Sequence, residues 1–206
     1  MSRAALERRL SAVAGFDDPR LDLEQYPTPA DLAAHLVHLA DVQGDLAGRT
    51  VVDLGTGTGM LALGAATRAP ARVVGLDRDR GALAVARENE RRIDPAVGVA
   101  WVCGDATRPP LDLGDATVVM NPPFGAQRGN AHADRAFLST AADLGAVSYS
   151  IHNAGSREFV ESFAADEGGE VTHAFRAALT LSRQFDHQTS DREVLDAEAF
   201  RIVWTP

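Results

Sequence analysis

The sequence predicts an α/β fold: a seven-stranded, mostly parallel sheet with helices on both faces and an antiparallel hairpin at its C-terminal end. Three observations carry this expectation. Strand-like and helix-like segments alternate along most of the chain, a glycine-rich turn follows the first strand-like run, and an acidic residue stands at the end of each of the first three. Strands separated by helices cannot close as tight hairpins, so they line up in parallel and the helices cover the sheet.

Each element follows from its pattern. Two helical patterns, about Arg3 to Val13 and Asp31 to Val42, precede the first strand. Strand-like runs are Thr50 to Leu54, Arg72 to Asp77, Val99 to Gly104, Ala116 to Met120, Gly145 to His152, Ala177 to Arg183 and Phe200 to Trp204. Between them, Thr58 to Arg68, Arg80 to Arg92, Ala133 to Leu144 and Ser156 to Ala165 carry apolar residues at three and four spacing, the period of a helix with one buried face. After His152 the alternation changes. The last two strands are joined by the polar stretch Gln184 to Ala199, which predicts the hairpin.

A chain of 206 residues suits one domain. We expect a single unit over 1–206, with an N-terminal helical segment at 1–45 and a core at 46–206. No apolar stretch approaches the ~20 residues that span a bilayer, and the first residues carry no secretory pattern, so a cytoplasmic location is expected. Cys103 is the only cysteine, which excludes a disulfide or a multi-cysteine zinc site within the chain; inside a strand pattern it reads as core filler. The 29 acidic residues outnumber 20 basic ones, all of them Arg, for a net charge of −9. A lysine-free acidic surface suggests a high-salt cytoplasm, where molar salt screens self-repulsion within ~3 Å. GC-rich codon usage is the plainer source of the missing Lys. Net −9 counts against nucleic acid in dilute salt, whereas in molar salt the phosphate term is weak for any protein.

Val51-Val52-Asp53-Leu54-Gly55-Thr56-Gly57-Thr58-Gly59 is an apolar strand ending in a turn that opens a helix. Glycines at alternating positions let a ligand approach the main chain closely. Alone, such a turn would serve a dinucleotide, a methyl donor or nothing at all. Asp77 ends the next strand, where a carboxylate can accept hydrogen bonds from both ribose hydroxyls of an adenosine moiety, and Asp105 ends the third. The bland reading is that these acids cap the following helices, as Asp79 or Asp112 would. The Asp-Leu-Gly-Thr-Gly-Thr-Gly pattern with acidic ends on strands two and three resembles the class I methyltransferases. That resemblance implies S-adenosylmethionine as cofactor, with Asp53, Gly55, Gly57 and Gly59 around its methionine moiety, Asp77 on the ribose and Asp105 near the adenine amine. Thr56, Arg78, Ala106 and Asn121 belong to the same cofactor-binding set.

The fourth strand runs into Asn121-Pro122-Pro123-Phe124. Consecutive prolines stop the ladder and stiffen the main chain, holding the Asn121 side chain and the Pro122 carbonyl as neighbouring acceptors. An amine conjugated to its ring is a poor nucleophile, and two acceptors on its hydrogens favour the tetrahedral nitrogen that attacks a sulfonium methyl. Phe124 supplies a face for an extruded base. The alternative is an Asn-Pro turn before a core aromatic.

Asn-Pro-Pro-Phe resembles the amino-methyltransferase motif of enzymes acting on adenine N6, cytosine N4 or the glutamine amide. Together with Glu24-Gln25-Tyr26-Pro27-Thr28, Asp134-Arg135-Ala136-Phe137-Leu138 and Tyr149-Ser150-Ile151-His152, it is similar to the methyltransferase-like family that modifies one adenosine of small-subunit ribosomal RNA, here as an archaeal, salt-adapted member. By that resemblance Gln25, Tyr26 and Thr28 help enclose the cofactor, Asn121, Pro122, Pro123 and Phe124 form the catalytic motif, RNA is the substrate, and a small zinc-ribbon activator protein pairs with the chain by strand addition beside Val99 to Cys103. Thr28 also reads as a helix N-cap, with Pro29 at the first helical position and Asp31 three residues on. Two departures stand out: the family tends to carry Lys where this chain has Gln127-Arg128 and Asp186-His187-Gln188. Arg128, Arg135, Arg183 and His187 remain candidate RNA contacts. No metal is expected, and His35 and His38 read as packing or surface residues, with no third ligand evident. Two other functions stay open, a glutamine methyltransferase acting on a release factor, which would usually show Tyr at Phe124, and a non-catalytic cofactor-binding subunit.

Overall fold

The computed structural model describes residues 1–123, 133–182 and 192–205. Helices α1 (Arg3–Leu10) and α2 (Ala30–Val42) precede β1 (Thr50–Leu54), α3 (Met60–Ala66), β2 (Arg72–Asp77), α4 (Arg80–Ile93), β3 (Val99–Cys103) and β4 (Ala116–Met120). Then come α5 (Ala133–Leu144), β5 (Gly145–Asn153), α6 (Arg157–Asp166), β6 (Gly169–Ser182) and β7 (Arg192–Trp204). The strands form one sheet in the order β3-β2-β1-β4-β5-β7-β6. β3, β2, β1, β4 and β5 run parallel, and β7 lies antiparallel to both β5 and β6.

Alternation within the strands builds two cores. Val51, Val73 and Val119 face a cluster with Leu6, Leu10, Leu32 and Met60 of the first three helices. Val52, Val74 and Val118 face the other way, onto Phe137, Leu138, Val160 and Phe163 of α5 and α6. Both faces of the parallel strands are thus covered, as their near-continuous apolar runs require. The sheet order reverses between β1 and β4, and Leu54 stands beside Met120 in register. This places the glycine turn after β1 next to Asn121 after β4, in the crevice where open α/β sheets bind ligands.

Several elements differ from the sequence expectation, each for a physical reason. α1 stops at Leu10, not Val13, because Ser11 caps it and its hydroxyl donates to the Glu7 carbonyl at 2.9 Å. α3 starts at Met60, not Thr58: Gly59 adopts a φ of +92° and ends the turn. The two hairpin arms are longer than predicted. The polar residues from Arg192 onward belong to the β7 ladder, where Arg176 stands opposite Glu198 and Ser182 opposite Arg192, and the Arg192 to Asp196 end extends beyond β5. Cys103 is exposed, not core, since β3 is an edge strand. Asp79 caps α4, accepting from the Gly81 amide at 2.8 Å, whereas no helix follows Asp112 before β4.

Candidate active site

A cavity of about 340 Å³ opens at the carboxyl ends of β1 to β4, within the range of sites that hold a nucleoside-sized ligand. Its floor is the turn after β1. Gly57 has a φ of +53°, and a Cβ there would meet the Phe16 ring at 2.9 Å; Gly59, at +92°, would place one 2.7 Å from Trp101. Both positions therefore need glycine, for conformation and for space. Asp53 lies behind this turn, 1% exposed, and does not line the cavity. One of its oxygens accepts from the Thr56 hydroxyl at 2.6 Å and the Ala62 amide at 2.9 Å, tying the turn to α3. Burial pushes its carboxyl up to about 7, against the pull of those two hydrogen bonds. Thr56 and Gly59 share this supporting position behind the wall.

Asp77 does face the cavity. Its two oxygens accept from the Gly57 and Asp79 amides, each at 2.8 Å, which locks the carboxylate at the end of β2. Burial raises its pKa, and the amides oppose the rise. Asp105 lies on the rim, accepting from the Thr107 amide at 2.9 Å and hydroxyl at 2.8 Å, and these bonds hold its pKa low. Gly55, Arg78 and Ala106 complete this side.

The opposite wall comes from the segment between α1 and α2, with Gln25 and Tyr26 among its residues. The Gln25 amide is engaged at both ends: its oxygen accepts from the Arg20 backbone amide at 2.8 Å and its nitrogen donates to Asp79 at 2.7 Å. Gln25 thus latches this segment to the start of α4. Phe16, Leu23, Thr107, Ala136 and Phe137 also line the cavity, and sequence reading did not single out any of them for this role. Their signal is only an apolar or small side chain.

Asn121 and Pro123 close the cavity at the end of β4. The Asn121 amide nitrogen donates to the Thr28 hydroxyl at 2.9 Å, and its oxygen Oδ1 is buried without a hydrogen-bond partner among the described residues. A buried acceptor left unpaired costs roughly 1–3 kcal/mol, so such an atom beside a ligand cavity is poised for a donor that arrives from outside. Thr28 does not cap α2. Pro29 holds the cap position and α2 has no side-chain cap, an arrangement that forgoes about 1 kcal/mol. On the far side of the motif, Pro122 and Pro123 meet Asp134, His152 and Ser156 around a small space of about 20 Å³. His152 is buried and its pKa falls to about 4, mainly through desolvation, so its ring is neutral.

Phe124, Arg128, Arg183 and His187 lie outside the described residues. Arg135 packs over the Phe159 and Phe163 rings of α6, at 5.9 and 5.1 Å, and is held against that helix. His35 stacks on Phe175 with centroids 4.2 Å apart, and no group of three metal-ligating side chains occurs among the described residues.

The methyltransferase small domain family matches residues 30–147. An rRNA N(6)-adenosine-methyltransferase of Danio rerio is 35% identical, with 100% of both chains aligned. One from Drosophila melanogaster is 34% identical over 96% of this chain and 95% of its own. The crystal structure of a candidate RNA methyltransferase from Pyrococcus horikoshii superposes with a TM-score of 0.90 at 35% identity, covering 100% of this chain and 99% of that one. The chain belongs to this family. It is a class I S-adenosylmethionine-dependent methyltransferase, and the cofactor supplies a methyl group activated by a sulfonium. The lining suits such a group: a carboxylate fixed at the end of β2, glycines that admit close approach, and the unpaired acceptor Asn121 Oδ1 at the cavity edge.

Proposed function

We propose that this methyltransferase modifies the N6 amine of an adenosine in RNA, within the small-subunit ribosomal RNA. The observation that carries the reading is the unpaired, buried Asn121 Oδ1 at the cavity edge. An adenine N6 amine is a donor of two hydrogens, and one of them satisfies this oxygen while the Pro122 carbonyl takes the other. Accepting both hydrogens returns lone-pair density to nitrogen. As the nitrogen took the methyl, the carbon–sulfur bond would break to leave a neutral thioether. The cationic N-methylated amine, strongly acidic because its ring withdraws charge, would give its extra proton to solvent, so no strong base is required. The proteins of Drosophila melanogaster and Danio rerio, named for this reaction, align along nearly the whole chain, which supports the same substrate class here.

On this reading Asp77 takes the cofactor ribose, with Arg78 beside it, and Asp105 with Ala106 takes the adenine. Gly55 and Gly57 adjoin the methionine moiety, while Asp53, Thr56 and Gly59 shape the turn from behind. Gln25 and Tyr26 form the cover, Thr28 supports Asn121, and Phe124 stacks on the target base. A zinc-ribbon activator would add at β3, an edge strand of the sheet whose Val99 amide already donates to the Glu90 carboxylate. Monodisperse, fully active protein without any partner would contradict that pairing. No helix among the described residues is long and apolar enough to cross a membrane, and the substrate points to the cytoplasm. The function is tested by offering labelled cofactor with separate RNA, DNA and release-factor pools. Label in the RNA pool alone is expected, and label confined to release factor would overturn the assignment.

A further inference from the structure

We infer that Thr28 is a positioning residue for methyl transfer: by accepting a hydrogen bond from the Asn121 amide nitrogen, it anchors that end of the amide and leaves the oxygen to meet the substrate amine. This rests on the amine-methylation reading above and deepens it. An asparagine amide has one acceptor end and one donor end, related by a half-turn about its last bond. Only the acceptor end can take a hydrogen from an arriving amine. Turned the other way, Asn121 would present two donors to a donor, and the group that activates the nucleophile would repel it.

In the structure the amide stands in the productive orientation. The Thr28 hydroxyl is the partner of the Asn121 Nδ2, at 2.9 Å, and Oδ1 has none among the described residues although it is buried. Thr28 is itself 8% exposed, so water does not compete freely for its hydroxyl. Its position in the chain adds a second, independent observation. Thr-Pro-Ala-Asp is a sequence built to begin a helix, yet α2 begins with Pro29 at the cap and no side-chain hydrogen bond. The hydroxyl suited to capping α2 reaches across to the end of β4 instead, 93 residues away in sequence. Pro29 makes this possible, because its extended backbone (φ −60°, ψ 144°) turns the chain into α2 one residue after Thr28.

The test is a double-mutant cycle between Thr28→Val, which keeps the shape and deletes the hydroxyl, and Asn121→Ala. Thr28→Val should lower kcat by roughly 10- to 100-fold, the scale of a misoriented catalytic group, with KM for RNA and cofactor affinity within about threefold of wild type. Thr28→Ser, which restores the hydroxyl, should recover most of that loss. The double variant should be no slower than Asn121→Ala alone, because Thr28 acts only through Asn121. Additive losses, or a Thr28→Val defect seated in cofactor affinity, would overturn the inference while leaving the function intact. Wild-type levels of activity in Asn121→Ala would instead overturn the amine-activation reading, and this inference with it.

Discussion

Asn89 offers the sharpest test of how the cofactor cavity is held together. It is fully buried on α4, and its side chain serves three backbone groups from two other segments. Its oxygen accepts from the Ala14 amide at 2.8 Å, and its nitrogen donates to the carbonyls of Ala14 and Thr58, both at 3.0 Å. One side chain therefore clamps the segment after α1 to the glycine turn, two residues before Phe16 reaches over Gly57. Asn89→Ala leaves those groups unpaired and a small void behind. At about 1 kcal/mol for each lost bond plus the void, roughly 2–4 kcal/mol of stability should go. For a chain of this size that lowers Tm by on the order of 10 °C. Cofactor affinity should weaken about tenfold, because the Phe16 segment must then be ordered at the moment of binding. Urea unfolding at unchanged m-value and calorimetric titration with S-adenosylhomocysteine measure the two effects. A stability loss below about 1 kcal/mol would refute the clamp, and unchanged affinity in a destabilised variant would refute its link to the cavity.

Three further outcomes are expected. Asp53 has a folded-state pKa of about 7, above its ordinary value near 3.8, so its contribution to stability is complete below about pH 4, declines as pH rises and is gone above about pH 7. Asp77 is raised too and acts in the same direction. Thermal unfolding of the free enzyme from about pH 5 to pH 8 should therefore show a steeper decline in wild type than in Asp53→Asn, and parallel curves would contradict the assignment. Gly59→Ala meets the Trp101 ring and an unfavourable φ, whereas Gly44→Ala has a similar φ of +77° and open space, so Gly59→Ala should cost at least about 1 kcal/mol more in denaturant unfolding. With net charge −9 and no Lys, Tm should fall when KCl is lowered from molar to dilute, and a flat salt profile would remove the case for salt adaptation.

The parallel half of the sheet was legible because its signals are local. β1, β2 and β4 begin and end where their apolar runs do, and the turn glycines announce a close approach that the geometry of Gly57 and Gly59 requires. The hairpin arms were only half legible. The Arg192 to Asp196 end of β7 runs past its β5 partner and pairs with β6, and its polar residues read like a loop. Residues that act through distant partners left no trace in their neighbourhoods. Asn89 sits in Arg-Glu-Asn-Glu-Arg-Arg, which reads as a solvated helix face, and its meaning comes from Ala14 and Thr58. Thr28 looked like a cap because helix starts are recognised from local sequence, while its actual partner lies on β4's exit. Cys103 looked buried because a strand pattern does not disclose which strand lies at an edge.

Nucleoside mass spectrometry after reaction with labelled S-adenosylmethionine tests the central claim most directly. Small-subunit ribosomal RNA treated with wild-type enzyme should yield labelled N6-methyladenosine after digestion. Asn121→Ala, with cofactor binding retained, should give on the order of 100-fold less per unit time, by analogy with loss of one group that stabilises a transition state. Label on another nucleoside, label on a glutamine side chain, or an Asn121→Ala rate within about threefold of wild type would contradict methylation of adenine through this motif.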